Sequence, residues 1–261
     1  MKQLTILSIF IFSGYTSLFA QDELPKPKRW SFSLSGGAAI PVGSYGKNDA
    51  VNAAIYRKDT PIPTFIIGFD KAKSGFAKVG YYYNAELQFK FNSGIALFLR
   101  SGQLSNSVQT AVLSNFLTDL NDGEVEVEHV DYNVFYITPG IGYSKQFNHF
   151  DVGLSVFTGY ANCNYPYYKA ILLFTTTNPP RFWAHSGERP DLNALIIGSS
   201  FNFDYSITSN FRIGLEWIYQ RANFKYEMST ETIPGSSPNP MIEDTVKLNL
   251  ANIGFKIGYR F

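Results

Sequence analysis

Apolar and polar positions alternate along most of this chain. The stretch LANIGFKIGYRF places Ala251, Ile253, Phe255, Ile257, Tyr259 and Phe261 on one parity and Asn252, Gly254, Lys256, Gly258 and Arg260 on the other. Successive side chains of an extended strand point to opposite faces, so a period of two marks a strand with two unlike faces. Eight segments read this way: 30–41, 78–91, 94–104, 131–145, 150–161, 192–206, 210–226 and 246–261. In the second, Val79, Tyr81, Tyr83, Ala85, Leu87, Phe89 and Phe91 oppose Gly80, Tyr82, Asn84, Glu86, Gln88 and Lys90. In the seventh, Phe211, Ile213, Leu215, Trp217 and Tyr219 oppose Arg212, Gly214, Glu216, Ile218 and Gln220. No stretch shows a helical period of comparable clarity, so the pattern predicts an all-β fold.

The connections alternate as well. Links around Ser93, Phe147 and Thr208 are short; those at 42–77, 105–130, 162–191 and 227–245 are long and rich in Gly, Pro, Asn, Ser and Thr. TIPGSSPNP (232–240) and TTTNPPRF (175–182) cannot continue a ladder, because proline lacks the donor and turn residues compete for backbone bonds. An even number of strands with turns at one end and loops at the other is the plan of a closed antiparallel eight-stranded transmembrane β-barrel, with short periplasmic turns and four long outer loops.

Composition narrows the rest. A formal charge of +1 gives no footprint for nucleic acid. The aromatic content of 16% favours strands, interfaces or membrane contact. The lone Cys163 makes no internal disulfide. The start, MKQLTILSIFIFSGYTSLFAQ, reads as a secretory signal peptide over 1–20, followed by a short periplasmic segment 21–29 and one barrel domain 30–261. Beyond the leader no run approaches the ~20 apolar residues of a spanning helix. A membrane could be crossed only as a closed barrel.

Alternation alone does not say which face is outside, since a soluble barrel also alternates. The Gly-and-charge face suits a narrow interior filled by side chains. On the apolar face, Trp30, Phe89, Phe91, Tyr143, Phe150, Tyr205, Phe211, Tyr259 and Phe261 gather at the turn-side ends, as an interfacial aromatic girdle does. The apolar positions of the last segment cover eleven residues, about 36 Å of strand and roughly 25 Å of height when tilted. Lipid is therefore expected on the Phe/Tyr/Ile side.

The leader, the eight segments and the ending IGYRF resemble the small bacterial outer-membrane β-barrel family, OmpA/OmpX-like and close to the form common in Bacteroidetes. The resemblance implies a cell outer-membrane location, contact with membrane lipid and lipopolysaccharide, and recognition of Phe255, Ile257, Tyr259 and Phe261 by the barrel-assembly machinery. The chain stops at the barrel, so tethering to the cell wall is not implied.

Parity also sets registers. A three-residue turn at Asn92-Ser93-Gly94 places Glu86 opposite Arg100. A turn around Thr208 places Asp204 opposite Arg212, Asn202 opposite Gly214 and Ser200 opposite Glu216, with Lys256 at similar depth. The expectation is two interior ion-pair networks, Glu86–Arg100 and Asp204–Arg212–Glu216–Lys256, because buried charges are tolerated only when paired. They read as a plug rather than a pore lining.

Candidate chemistry is thin. The cluster His185, Ser186 and Glu188 would need a nucleophile, a base and an orienting group in register, which adjacent loop residues rarely supply. No enzyme, cofactor or metal is expected. The third long loop carries Tyr165, Tyr167, Tyr168, Arg181, Phe182 and Trp183, the composition of a binding anchor for a protein partner. The first holds PIPTFIIGF, apolar enough to pack an outer core. The reading is a structural or surface-interaction barrel. An accessory subunit of a secretion or assembly complex, a barrel-mounted lipid hydrolase and a soluble periplasmic binding barrel are the alternatives.

Overall fold

The structure, a computed structural model, describes residues 28–56, 66–121, 123–164, 168–173, 181–184, 191–228 and 242–261. The expected leader lies outside the described residues. Strands are β1 (Trp30–Pro41), β2 (Ala54–Tyr56), β3 (Ile66–Phe69), β4 (Gly80–Lys90), β5 (Ile95–Asn106), β6 (Glu124–His129), β7 (Tyr132–Phe147), β8 (Phe150–Asn164), β9 (Tyr168–Leu173), β10 (Arg181–Ala184), β11 (Asp191–Ser206), β12 (Phe211–Met228) and β13 (Ile242–Arg260).

Eight of these close into an antiparallel barrel in the order β1-β13-β12-β11-β8-β7-β5-β4. The first and last strands seal it: Leu34 pairs with Ile257, and Phe261 N–H donates to Trp30 O at 3.0 Å. Full pairing removes any open edge, which in hydrocarbon would leave backbone groups unsatisfied at several kcal/mol each. The outward face is apolar and the inward face polar over the turn-side half. Phe255 is 75% exposed and Leu215 51%, whereas Lys256 and Glu86 are 4% exposed. In water that arrangement is inverted; it is stable only where oil meets the outside, so the barrel is a transmembrane one.

The turn between β4 and β5 runs as the sequence predicts, with Gly94 at φ +89° and Glu86 directly opposite Arg100. A side chain at Gly94 would strain this left-handed position. The β11–β12 register differs from expectation by two residues. Asp204 lies opposite Gly214, Asn202 opposite Glu216 and Ser206 opposite Arg212. The reason is a longer turn: Ile207 and Thr208 N–H both donate to Phe211 O, and Thr208 Oγ1 accepts from the N–H groups of Asn210 and Phe211. A shift of two keeps parity, so every side chain stays on its predicted face.

Two further differences lie outside the membrane zone. A helix, Thr110–Asn121, stands where no helix is expected. It buries Leu113 and Leu117 on the barrel top and leaves Ala111, Asp119 and Leu120 exposed. A 12-residue segment with two inward leucines gives too brief a period to stand out beside eight strands. The long loops also carry strands of their own: β10, β9 and β6 form a three-stranded sheet, and β2 pairs with β3.

The longest strands change polarity part-way along. Below Tyr219 the outward residues of β12 are Phe211, Ile213, Leu215 and Trp217; above it they are Arg221, Asn223 and Lys225. The inward face switches oppositely, from Arg212 and Glu216 to Ile218, Ala222 and Phe224. On β13 the outward residues pass from Ile257, Phe255, Ile253 and Ala251 to Asn249 and Lys247, while Leu250, Leu248 and Val246 turn inward at 0% exposure. The upper barrel is thus built like a soluble protein, with an apolar core that also takes in Tyr45, Phe69, Phe76, Leu104, Val134 and Ile196.

The first loop is locked onto this upper barrel by a buried ion pair. Lys71 Nζ lies 3.2 Å from Asp244 Oδ2, with side-chain exposures of 4% and 0%. Lys71 N–H also donates to Asp244 Oδ1 at 2.9 Å. Burial lowers the Lys71 ammonium pKa, and the Asp244 carboxylate opposes that shift.

Candidate functional site

The turn-side half of the lumen holds the densest polar chemistry among the described residues. Each inward charge sits there because strand parity puts it there, opposite small inward residues such as Gly214, Gly254 and Gly258 that leave room for long side chains. Six side chains form one chain of alternating sign. Glu216 Oε1 lies 2.8 Å from Arg100 Nη2, which is 2.6 Å from Glu86 Oε2. Glu86 Oε1 is 3.6 Å from Lys256 Nζ, itself 3.8 Å from Asp204 Oδ2, and Arg212 Nη1 closes the row at 3.3 Å from that same oxygen. Three carboxylates meet three cations, so the buried charge balances.

This joins what the sequence separates. Arg100 bridges Glu86 to Glu216, and Glu216 has its ion pair with Arg100 rather than with Arg212 or Lys256. Order explains it: β5 and β12 stand four places apart in a ring of eight, on opposite walls. Register arguments reach only neighbouring strands and cannot see a contact across the diameter. The guanidinium carbon of Arg100 also lies 5.3 Å from the Phe98 ring centroid and 5.2 Å from that of Phe157, so two aromatic faces hold it. Ser35 Oγ donates to Glu216 Oε2 at 2.5 Å and lies 2.8 Å from Asn84 Oδ1.

Below the chain of charges, Asp151 pairs with Lys90 at 3.2 Å and Arg260 at 2.5 Å, a second network at the turn-side mouth that sequence reasoning misses. Between the two lies a cavity of about 20 Å³, lined by Glu86, Asp151, Asn202, Asp204, Arg212 and Lys256 among others. It has room for about one water. Above Arg100 the lumen is filled by Tyr82, Tyr136 and Ile218, then by Leu104, Val134, Ile196 and Leu250.

Trp30, Phe91, Tyr143, Phe150, Tyr205, Phe211, Tyr259 and Phe261 are all substantially exposed at the turn-side ends of their strands. Phe150 stacks on Phe203 at 5.3 Å and Tyr259 on Phe261 at 6.5 Å, while Trp30 meets Phe89 at 5.0 Å in a tilted contact. A second aromatic band at the other end of the apolar zone, Tyr81, Tyr83, Phe135, Tyr160, Trp217 and Tyr219, is missed by the sequence reading. The polarity switch just above it is the signal that marks it.

Tyr165 and Tyr167 lie outside the described residues, as do His185, Ser186 and Glu188. Tyr168 falls at the start of β9, and Arg181, Phe182 and Trp183 fall in β10, which pairs with β9 so that Phe182 lies opposite Ile171. Among the described residues no cluster of His, Cys, Asp or Glu could hold a metal. His129 pairs with Asp131 at 3.0 Å at the top of the barrel.

No family model and no curated protein matches this chain. Among solved structures it is similar to the outer membrane protein OprG from Pseudomonas aeruginosa, with 14% identity, a TM-score of 0.47 and coverage of 90% of this chain and 97% of that one. It is also similar to Neisserial surface protein A, at 8% identity and a TM-score of 0.41, covering 90% and 98%. A third similarity is to Ail, the attachment invasion locus protein of Yersinia pestis, solved with the heparin analogue sucrose octasulfate, at 14% identity and a TM-score of 0.38, covering 89% and 99%.

Proposed function

We propose that this protein resides in a bacterial outer membrane as a side-chain-plugged barrel, with its long-loop end facing outward, and that its role is structural and surface-presenting rather than enzymatic or conductive. The carrying observation is the filled lumen. A balanced row of six charges closes the turn-side half, and an apolar core closes the other. A conducting pore needs a continuous hydrated path, and a cavity of about 20 Å³ does not supply one. What the barrel supports is an ordered outer cap of strands and a helix, the part of the molecule suited to meeting a protein partner. Assembly by the barrel-assembly machinery and contact with lipopolysaccharide belong to the same reading. Planar-bilayer recording of the purified, refolded protein tests it: no stable unitary openings are expected. Large, ion-selective openings would replace the plug with a pore.

A further inference from the structure

Cations on the lipid-facing side are distributed unevenly. On four of the eight barrel strands the outward residue just beyond the apolar zone is an uncharged amide or hydroxyl: Asn133 after Phe135, Asn162 after Tyr160, Asn193 after Leu195, and Ser101 then Gln103 after Leu99. The β12–β13 hairpin differs. Arg221 follows Tyr219 on β12, Lys225 stands two outward steps higher, and Lys247 lies on β13. All three are exposed. In register, Arg221 lies opposite Asn249, Lys247 opposite Asn223 and Lys225 opposite Thr245, so Lys247 is the diagonal neighbour of both other cations. Diagonal neighbours on one face are about 7–8 Å apart, within reach of long side chains. In register, Glu227 lies opposite Glu243, two positions beyond Lys225 and Thr245, and Tyr219 of the aromatic band lies two positions before Arg221.

Arg221 and Lys247, like charges at diagonal positions, repel unless an anion lies between them, and they sit at the height where membrane headgroups begin. We propose that Arg221 and Lys247 form a binding site for the phosphate of an anionic lipid headgroup in the outward leaflet. Tyr219 and Trp217 flank the acyl chains below. A guanidinium offers a planar fork matched to phosphate oxygens, and a lysine beside it adds a mobile point charge. The site faces one side of the barrel only, so it orders anionic lipid at one sector of the perimeter. This inference rests on the membrane reading above.

The test is lipid association measured with spin-labelled phosphatidic acid and spin-labelled phosphatidylcholine, in phosphatidylcholine vesicles holding the refolded protein. Wild type is expected to retain phosphatidic acid preferentially, with the preference falling as ionic strength rises. R221Q/K247Q is expected to reduce that preference about thirtyfold, at roughly 1 kcal/mol for each of the two cations near the surface. K47Q/K73Q, which removes exposed cap lysines paired with Asp49 and Asp70, is expected to leave it unchanged. Wild type without preference, or R221Q/K247Q with undiminished preference, overturns the site while leaving an inserted barrel in place. Failure of wild type to insert overturns both the site and the membrane reading.

Discussion

Arg100 and Glu216 meet at 2.8 Å although they stand on opposite walls of the barrel, 116 residues apart in the chain. Arg100 therefore acts as a strut across the lumen, gripped at its tip by two carboxylates and along its guanidinium by Phe98 and Phe157. Removing one partner of a buried pair strands the other. R100M, which leaves Glu86 and Glu216 without the guanidinium, should cost about 3–5 kcal/mol. R100M/E216Q should recover part of that loss. Urea unfolding of the vesicle-embedded protein, followed by heat-modifiable gel migration, measures both. Equal stability of R100M and wild type would show that the strut carries no load.

The polarity switch at Tyr219 makes a depth prediction. Leu215→Arg places a cation in the apolar zone and should cost about 2–4 kcal/mol. Asn223→Arg, eight residues higher on the same outward face, should change stability by less than about 1 kcal/mol. Brominated lipids should quench Trp217 fluorescence in a W30F/W183F background. Loss of the difference between the two arginine variants would move the membrane boundary.

Close backbone approach at the seam predicts intolerance. A Cβ at Gly37 would lie 2.1 Å from Ile253 O and 2.5 Å from Gly254 Cα, both backbone atoms that cannot rotate aside. G37A should weaken the β1–β13 closure by about 1–3 kcal/mol and slow insertion into vesicles. An unaltered unfolding midpoint and folding rate would count against a tight seam.

The Lys71–Asp244 pair should hold the cap to the barrel. D244N leaves Lys71 in a dry site and should cost about 3–5 kcal/mol if the first loop stays docked. Local undocking relieves that cost and should appear as faster amide exchange at Phe69, Phe76 and Ala77, with the membrane-embedded strands unchanged. Protection unchanged at both levels would mean the pair is not what docks the loop.

Asp49 sits at the start of the short helix Ala50–Ala53, where its Oδ1 accepts from Asn52 N–H at 3.1 Å. The Asn52 side chain first, then that backbone bond and Lys47, bring its pKa down from 3.8 to about 2. The folded value lies below the unfolded one, so the contribution is present above pH 3.8 and is lost as pH falls through about 2. A carboxyl carbon titration by NMR should find the midpoint near 2. A midpoint near 4 would discard the cap.

Much of the barrel was legible because a two-residue period survives every environment it passes through. Glu86 opposite Arg100 followed from parity and one glycine turn. Asp204 against Gly214 did not, because turn length is set by Thr208 hydroxyl bonds that composition does not announce. The Arg100–Glu216 crossing was invisible for a different reason: closure, not sequence spacing, brings β5 to face β12. The upper aromatic band and the cations above it were present in the letters of β12 and β13. The apolar parity exchanges at Tyr219: Phe211 to Tyr219 carry it before that point, and Ala222 and Phe224 after it. The helix Thr110–Asn121 owes its burial to the barrel top, so its own pattern was too brief to declare it.

Strands β12 and β13 run unbroken for 18 and 19 residues, with their feet in oil and their heads in water. No hinge separates the two parts, and the ladder pairs Phe211 with Tyr259 at one end and Met228 with Ile242 at the other. A pull on the outer end of this strand pair is therefore taken up as shear along many parallel backbone bonds at once. The pair is a mast stepped into the bilayer, and a load on it passes straight into the barrel wall.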